Sequence, residues 1–187
     1  MTFASSRPAA PARHLLCLDL LSSELPPEDP RQPPRFNSPI ENSRRLLHHA
    51  RAAGWQVTHV HRRAMLDTSA RPVQGLEPLP SERVLYRTGL SAFSNRTFRK
   101  AVQTQRAELI ILGFSLSASC LATAMVAHDW DLPVTVVEDV FQQPSADASR
   151  IDALHAVARS LAGPLVRMAS TESFTGPRRH LRLVAAA

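Results

Sequence analysis

Residues 113–124 read GFSLSASCLATA, and they set two nucleophile-type side chains, Ser119 and Cys120, side by side where an apolar strand gives way to a helix. Amides at a helix N-terminus have no partner within the helix, so such a turn can hold an anion or a developing oxyanion. The backbone around Ser115, Leu116 and Cys120 is the candidate for that role. A thiol or hydroxyl at the same place has its pKa lowered. The alternative is structural: Ser117 caps the helix and Cys120 packs into the core. Asp19 ends the run LLCLDL. A carboxylate at the end of a buried strand is partly desolvated and suits proton transfer, or else it caps a neighbouring loop. Arg87 follows Val84-Leu-Tyr. It can pair with Asp19, clamp a substrate carboxylate, or lie on the surface.

Other patterns carry less. The turn lacks the second and third glycines of a dinucleotide-binding GxGxxG, and no cofactor is expected. His59 and His61 share one strand face and could hold a metal with an acid from elsewhere. No DxH or HxxxH partner lies nearby, so no metal site is assigned. Asn95-Arg-Thr97 has the form of a glycosylation acceptor, which means nothing without a secretory signal.

The elements that must position these residues alternate. Strands are expected over 14–20, 55–61, 83–86, 109–112, 134–137 and 165–168. Helices are expected from Ser38 to Gly54, over 98–105, 117–129 and 147–162. Ser38-Pro-Ile-Glu41 reads as a capped helix start and Gly54 as its stop. Residues 25–38 hold five prolines and must be loop, expected to lie over the site. Apolar strands alternating with helices imply an α/β, three-layer Rossmann-like fold. Its sheet should be six-stranded and mainly parallel, with helices on both faces. Ligands bind such sheets at the carboxyl ends of the strands, which selects Asp19, Arg87, the 113–119 turn and Glu138-Asp139.

The chain has 187 residues, 44% of them apolar, enough for one domain with a sizeable core. Residues 14–174 are that domain, 1–13 a mobile Pro/Ala/Ser-rich tail and 175–187 a second tail. The formal charge is +6, and all basic residues but Lys100 are arginine. The arginines are scattered without interleaved aromatics, so a solvated surface rather than a nucleic-acid interface is expected. No apolar run approaches the ~20 residues that span a bilayer. The N-terminus lacks the apolar core of a signal peptide, and two cysteines, Cys17 and Cys120, make no disulfide framework. A reduced, cytoplasmic protein is expected.

Together the segments resemble the isochorismatase-like hydrolase superfamily, in the family's order over roughly residues 14–170. LLCLDLL resembles its first strand with a catalytic aspartate. IENSRRLLHHARAAGWQVTHVHRR is similar to its first helix and second strand. GLEPLPSERVLYRTGLSAFSNRTF is similar to the segment with an active-site lysine before "SAF…T". LIILGFSLSASCLATAMVAHDWDLPVTVVEDVF resembles the nucleophile strand, turn and helix. The resemblance implies a catalytic Asp19 and a small-molecule substrate, with assembly as a homodimer or larger. In the family's amidases an Asp–Lys–Cys triad attacks a carbonyl beside an oxyanion site that follows a cis peptide. Its isochorismatases cleave a vinyl ether without a nucleophile. Here the lysine position, four before the serine of SAF, holds Arg87. The cysteine position, six after Gly113 and two before LATA, holds Ser119, with Cys120 one residue late. In an α-helix that offset turns Cys120 by ~100°, away from the pocket. The nicotinamidase metal motif is also missing. The expected site is therefore Asp19–Arg87–Ser119, acting on a small amide or enol ether. The alternative is a catalytically degenerate member used for ligand binding or assembly.

Overall fold

Six parallel strands arise where the apolar runs stand: β1 (Arg13–Leu18), β2 (Gln56–Arg62), β3 (Arg83–Arg87), β4 (Glu108–Gly113), β5 (Val134–Val137) and β6 (Arg167–Ala169). The computed structural model describes residues 12–25, 38–63, 70–141 and 165–176, with 153, 156, 159, 160 and 163. The order across the sheet is β3-β2-β1-β4-β5-β6, and every neighbouring pair is parallel. The direction of winding reverses between β1 and β4, so the crevice of this doubly wound sheet lies beyond the ends of those strands. β4 and β5 are buried throughout, as a sheet covered on both faces requires. β3 is an edge strand with the opposite pattern: its first four residues are exposed or half-buried, and its last, Arg87, is buried.

Three helices follow from local chemistry. α1 (Pro39–Ala52) starts at Ser38, whose Oγ accepts the Glu41 N–H at 3.2 Å, with Pro39 as its first residue. It stops at Gly54, whose φ of 67° suits a residue without a Cβ. α2 (Arg96–Gln105) begins two residues earlier than expected, because Asn95 is its cap. Asn95 Oδ1 accepts the Phe98 N–H at 2.9 Å, and its Nδ2 donates to the Tyr86 carbonyl at 2.8 Å. The glycosylation-like NRT is thus a helix start. α3 (Leu121–Asp129) is preceded by a π turn, Leu116–Cys120.

Strand alternation shows how both faces are covered. His14 and Cys17 point to opposite sides of β1. His14 meets the Phe98 ring of α2 edge-on at 6.0 Å, whereas Cys17 is fully buried on the other face. Phe93 ties the α2 side together, 5.2 Å from Phe98 and 4.9 Å from Trp130. On the α1 side, Trp55 meets Phe174 of a short helix, Glu172–Thr175, at 6.0 Å.

Some expectations shift. β1 ends at Leu18, and Asp19 stands one residue beyond it. β6 begins at Arg167, and Leu165 is exposed. Of the helix expected over 147–162, residues 153, 156, 159 and 160 are helical and most of the rest lies outside the described residues. The proline-rich loop, from 26 to 37, and nearly all of both tails also lie outside them. Among the described residues no helix is long and apolar enough to cross a membrane.

Buried histidines make the fold sensitive to acid. His14 Nε2 pairs with Thr58 Oγ1 at 2.9 Å. The His59 Nε2–H donates to Glu82 Oε2 at 3.0 Å, and Glu82 also holds Arg51 at 2.8 Å. Desolvation lowers both histidines from 6.5 to about 4, in His14 with help from Arg83 and in His59 against the opposing pull of Glu82. The unfolded chain then takes up protons that the folded chain refuses as pH falls from 6.5 to about 4, so stability is full above that window and lost within it. Urea unfolding at a series of pH values should show stability dropping by a few kcal/mol across this window. In His14→Gln/His59→Gln the slope should be much flatter.

Candidate active site

Asp19 reaches the carboxyl edge of the sheet in a left-handed conformation, φ 47°, which costs most residues energy and which Asp tolerates better than most. Its N–H still donates to the Val60 carbonyl at 3.1 Å, one rung beyond the β1–β2 ladder. The Arg62 N–H donates to Oδ1 at 2.7 Å, and the guanidinium of Arg87 pairs with Oδ2. Arg87 also donates to the Gly89 carbonyl. Asp19 and Arg87 are buried, at 4% and 2% exposure, so neither charge could stand there without the other. The structure therefore brings these two expected site residues together, across β2, as one ion pair.

The turn after β4 is where α-helical geometry fails. Ser115 makes no side-chain cap, so the helix start expected at Ser117 is replaced by a π turn opening at Leu116. The Cys120 N–H donates five residues back to the Ser115 carbonyl at 3.2 Å. Such a turn absorbs one residue more than an α turn, so the ~100° rotation assumed for Cys120 does not apply. Ser119 and Cys120 are both buried. Cys120 Sγ lies over Gly113, where a Cβ would come within 2.7 Å of the sulfur. Burial pushes the Cys120 thiol far above its ordinary range. The Asp19 charge adds to this and Arg87 opposes it, so the thiol sits within electrostatic reach of the ion pair. The Ser119 hydroxyl bonds no described residue; its carbonyl accepts from Thr123 Oγ1 at 2.7 Å. Leu116 is buried and Ser115 half-buried. No peptide bond among the described residues is cis.

Thr123 links two motifs that are distant in sequence. While donating to Ser119, its hydroxyl accepts the Ala92 N–H at 3.0 Å. The SAF segment that follows Arg87 is thereby tied to the turn through the threonine of LATA.

Other residues were missed or misplaced by sequence reasoning. His61 and Arg62 end β2 at this edge, and the Arg62 N–H is a donor to Asp19. Burial lowers the His61 pKa, Asp19 raises it and Arg87 lowers it further. The pair His61-Arg62 ends β2 at the same edge as Asp19, so the strand-end rule that selected Asp19 would have found it. Asp139 serves elsewhere: its carboxylate accepts from Asn42 Nδ2 at 3.3 Å and from Thr171 N and Oγ1 at 2.9 and 2.8 Å, tying α1 to the end of β6. Glu138 lies 4.0 Å from Arg159. His59 is held by Glu82, and among the described residues no group of three or more His, Cys, Asp or Glu side chains could hold a metal.

Comparison with known proteins decides the family. The isochorismatase domain model matches residues 14–169. The chain belongs to the isochorismatase domain family. An isochorismatase from Pseudomonas putida KT2440 is similar at 22% identity, over 90% of this chain and 94% of that one, with a TM-score of 0.71. An isochorismatase family protein from Burkholderia thailandensis is 17% identical over 89% and 95%, with a TM-score of 0.71. A structure titled MAR1 ribonuclease, from Caenorhabditis elegans, is 16% identical over 94% and 88%, with a TM-score of 0.68. No curated protein matches significantly. At these identities the structures share the fold, and the site must be argued from its own side chains.

Two expectations follow. Thr123→Val leaves a buried N–H and a buried carbonyl without their partner, so it should cost ~1–3 kcal/mol in denaturant unfolding. A thiol reagent at neutral pH should label Cys17 and Cys120 slowly in the folded protein, and only at the rate of unfolding, because burial raises both thiols. Rapid labelling of native Cys120 would contradict the packing described.

Proposed function

We propose that this isochorismatase-family protein is a hydrolase of a small amide or enol ether that works without a covalent nucleophile. The observation that carries this is the state of the turn: the thiol is buried and raised in pKa, and the Ser119 hydroxyl has no base among the described residues. A hydroxyl or thiol needs an adjacent base or a lowered pKa to attack. What the crevice does hold is an ionised pair. In this reading Asp19 accepts a proton from an attacking water, and Arg87 keeps that carboxylate in place and balances its charge. The hydroxyl of Ser119 and amides earlier in the Ser115–Cys120 turn face the reacting oxygen, the Cys120 N–H being taken by the Ser115 carbonyl. Each carboxylate oxygen of Asp19 has a second lone pair free for this work.

The test is turnover of a panel of small amides, ureides and isochorismate by wild type and by Asp19→Asn. Wild type should turn over at least one compound, with kcat reduced ~100-fold or more in Asp19→Asn, whereas Cys120→Ala should retain most of its activity. Equal rates in wild type and Asp19→Asn would defeat the proposal. A silent Cys120→Ala would point to thiol chemistry. A panel with no turnover would favour a ligand-binding role.

A further inference from the structure

We propose that the substrate of this site carries a carboxylate and that the Arg62 side chain recognises it. The inference rests on the hydrolytic reading above and narrows its substrate class.

Arg62 and Arg87 stand opposite each other in the β2–β3 register. Neighbouring strands run about 4.8 Å apart, and residues opposite each other project to the same face. The same rule carries that face across the sheet. Val60 lies opposite Leu18, and Leu18 lies opposite Gly113. Arg62 comes two residues after Val60, so it shares the face of Leu18 and Gly113. Cys120 of the π turn packs on this face, because a Cβ at Gly113 would come within 2.7 Å of its sulfur and 3.1 Å of the Leu18 Cβ. The strand ends thus place two arginine side chains on the side of the sheet that carries the Ser119 turn.

The two arginines are not equivalent. The Arg87 guanidinium is committed to Asp19 and to the Gly89 carbonyl. Arg62 touches Asp19 through its backbone N–H, at 2.7 Å, and not through its side chain. Among the described residues its guanidinium has no ion pair and no hydrogen-bond partner, and its Nε is buried. The residue as a whole is half-buried. A cation partly withdrawn from water is ordinarily matched by an anion. Arg87 Nε is also buried without a partner. Buried donors are nearly always satisfied in proteins, so two such donors on adjacent strand ends point to an acceptor that arrives with the substrate.

Charge and shape select the acceptor. Two guanidinium groups share this edge, and the one carboxylate in contact with them is that of Asp19. A single negative charge completes the match. A carboxylate carries that charge and presents two oxygens in one plane, as the guanidinium fork requires. A phosphate at neutral pH carries more charge than the edge can balance. The sequence offered Arg87 as a clamp for a substrate carboxylate. Asp19 occupies Arg87, and the role passes to its neighbour. A carboxylate on Arg62 is then anchored beside Asp19, since the same residue donates its N–H to Oδ1.

The experiment uses the full chain as wild type, Arg62→Gln and Arg62→Lys. Both variants keep the backbone N–H, so the bond to Asp19 survives and the side chain alone is tested. Binding of benzoate, benzamide and inorganic phosphate is followed by NMR titration of the backbone amides at constant ionic strength. Benzoate should bind wild type ~10-fold or more tightly than benzamide, Arg62→Gln should remove that preference, and Arg62→Lys should restore part of it. No benzoate binding, equal affinities in wild type, or a preference that Arg62→Gln leaves intact would each overturn the proposal. Tighter binding of phosphate than of benzoate overturns the choice of a carboxylate. Among compounds that wild type hydrolyses, Arg62→Gln should raise KM ~10-fold more for carboxylated than for uncharged ones. A wild type that hydrolyses nothing yet keeps the Arg62-dependent preference for benzoate defeats the hydrolytic reading and leaves recognition by Arg62 standing.

Discussion

The Asp19–Arg87 ion pair is the constraint around which the carboxyl edge of the sheet is organised. Two charges removed from water cost several kcal/mol each, and this is offset only if every donor and acceptor near them is arranged to help. The left-handed turn at Asp19, the Arg62 amide on one carboxylate oxygen and the guanidinium on the other are that arrangement. It also explains an oddity of β3. An edge strand is expected to expose its charges, yet the one buried residue of β3 is its arginine. The partner carboxylate draws Arg87 inward across β2, while Val84 and Tyr86 remain exposed.

The second organising feature is the π turn. Hydrogen bonds that span five residues widen the backbone, and such turns recur at functional sites because they re-aim side chains within a helix. Here the widening carries Cys120 over Gly113, which has no Cβ to obstruct it. The same turn is fastened from the other side by Thr123, whose single hydroxyl serves Ala92 and Ser119 at once. The turn is therefore held by packing on one side and by hydrogen bonding on the other. A thiol in this place is a packing element: burial and the nearby carboxylate both disfavour the thiolate.

In the proposed reading, this combination favours proton transfer over covalent attack. The edge holds the Asp19–Arg87 pair and the Arg62 amide on Asp19, with His61, whose pKa burial lowers, at the end of the same strand as Arg62.

Much of the fold could be read along the chain because its causes are local. Continuous apolar runs make doubly covered strands, Ser38-Pro39 and Gly54 mark a helix, and alternation of the two element types forces parallel pairing. The strand-end rule then selected Asp19 and Arg87 as residues of one edge. The sequence by itself thus determined the layers, the family and the two charged ends. What it could not determine was decided by long-range pairing. Whether Ser119 or Cys120 meets the ion pair depends on a turn that departs from α geometry, and α spacing cannot foresee an i→i−5 hydrogen bond. The course of the chain after β1 was hidden because it depends on residues 71–73 pinning it there. Asn95 looked like a modification signal until the helix it caps was in place, and Asp139 looked like a site residue until Asn42 and Thr171 were seen to hold it. Propensity and periodicity act within a few residues. Charge pairing across β2 and a shared hydroxyl between distant motifs act only when the whole sheet has closed, so the tertiary structure alone assigned the working side chains their neighbours.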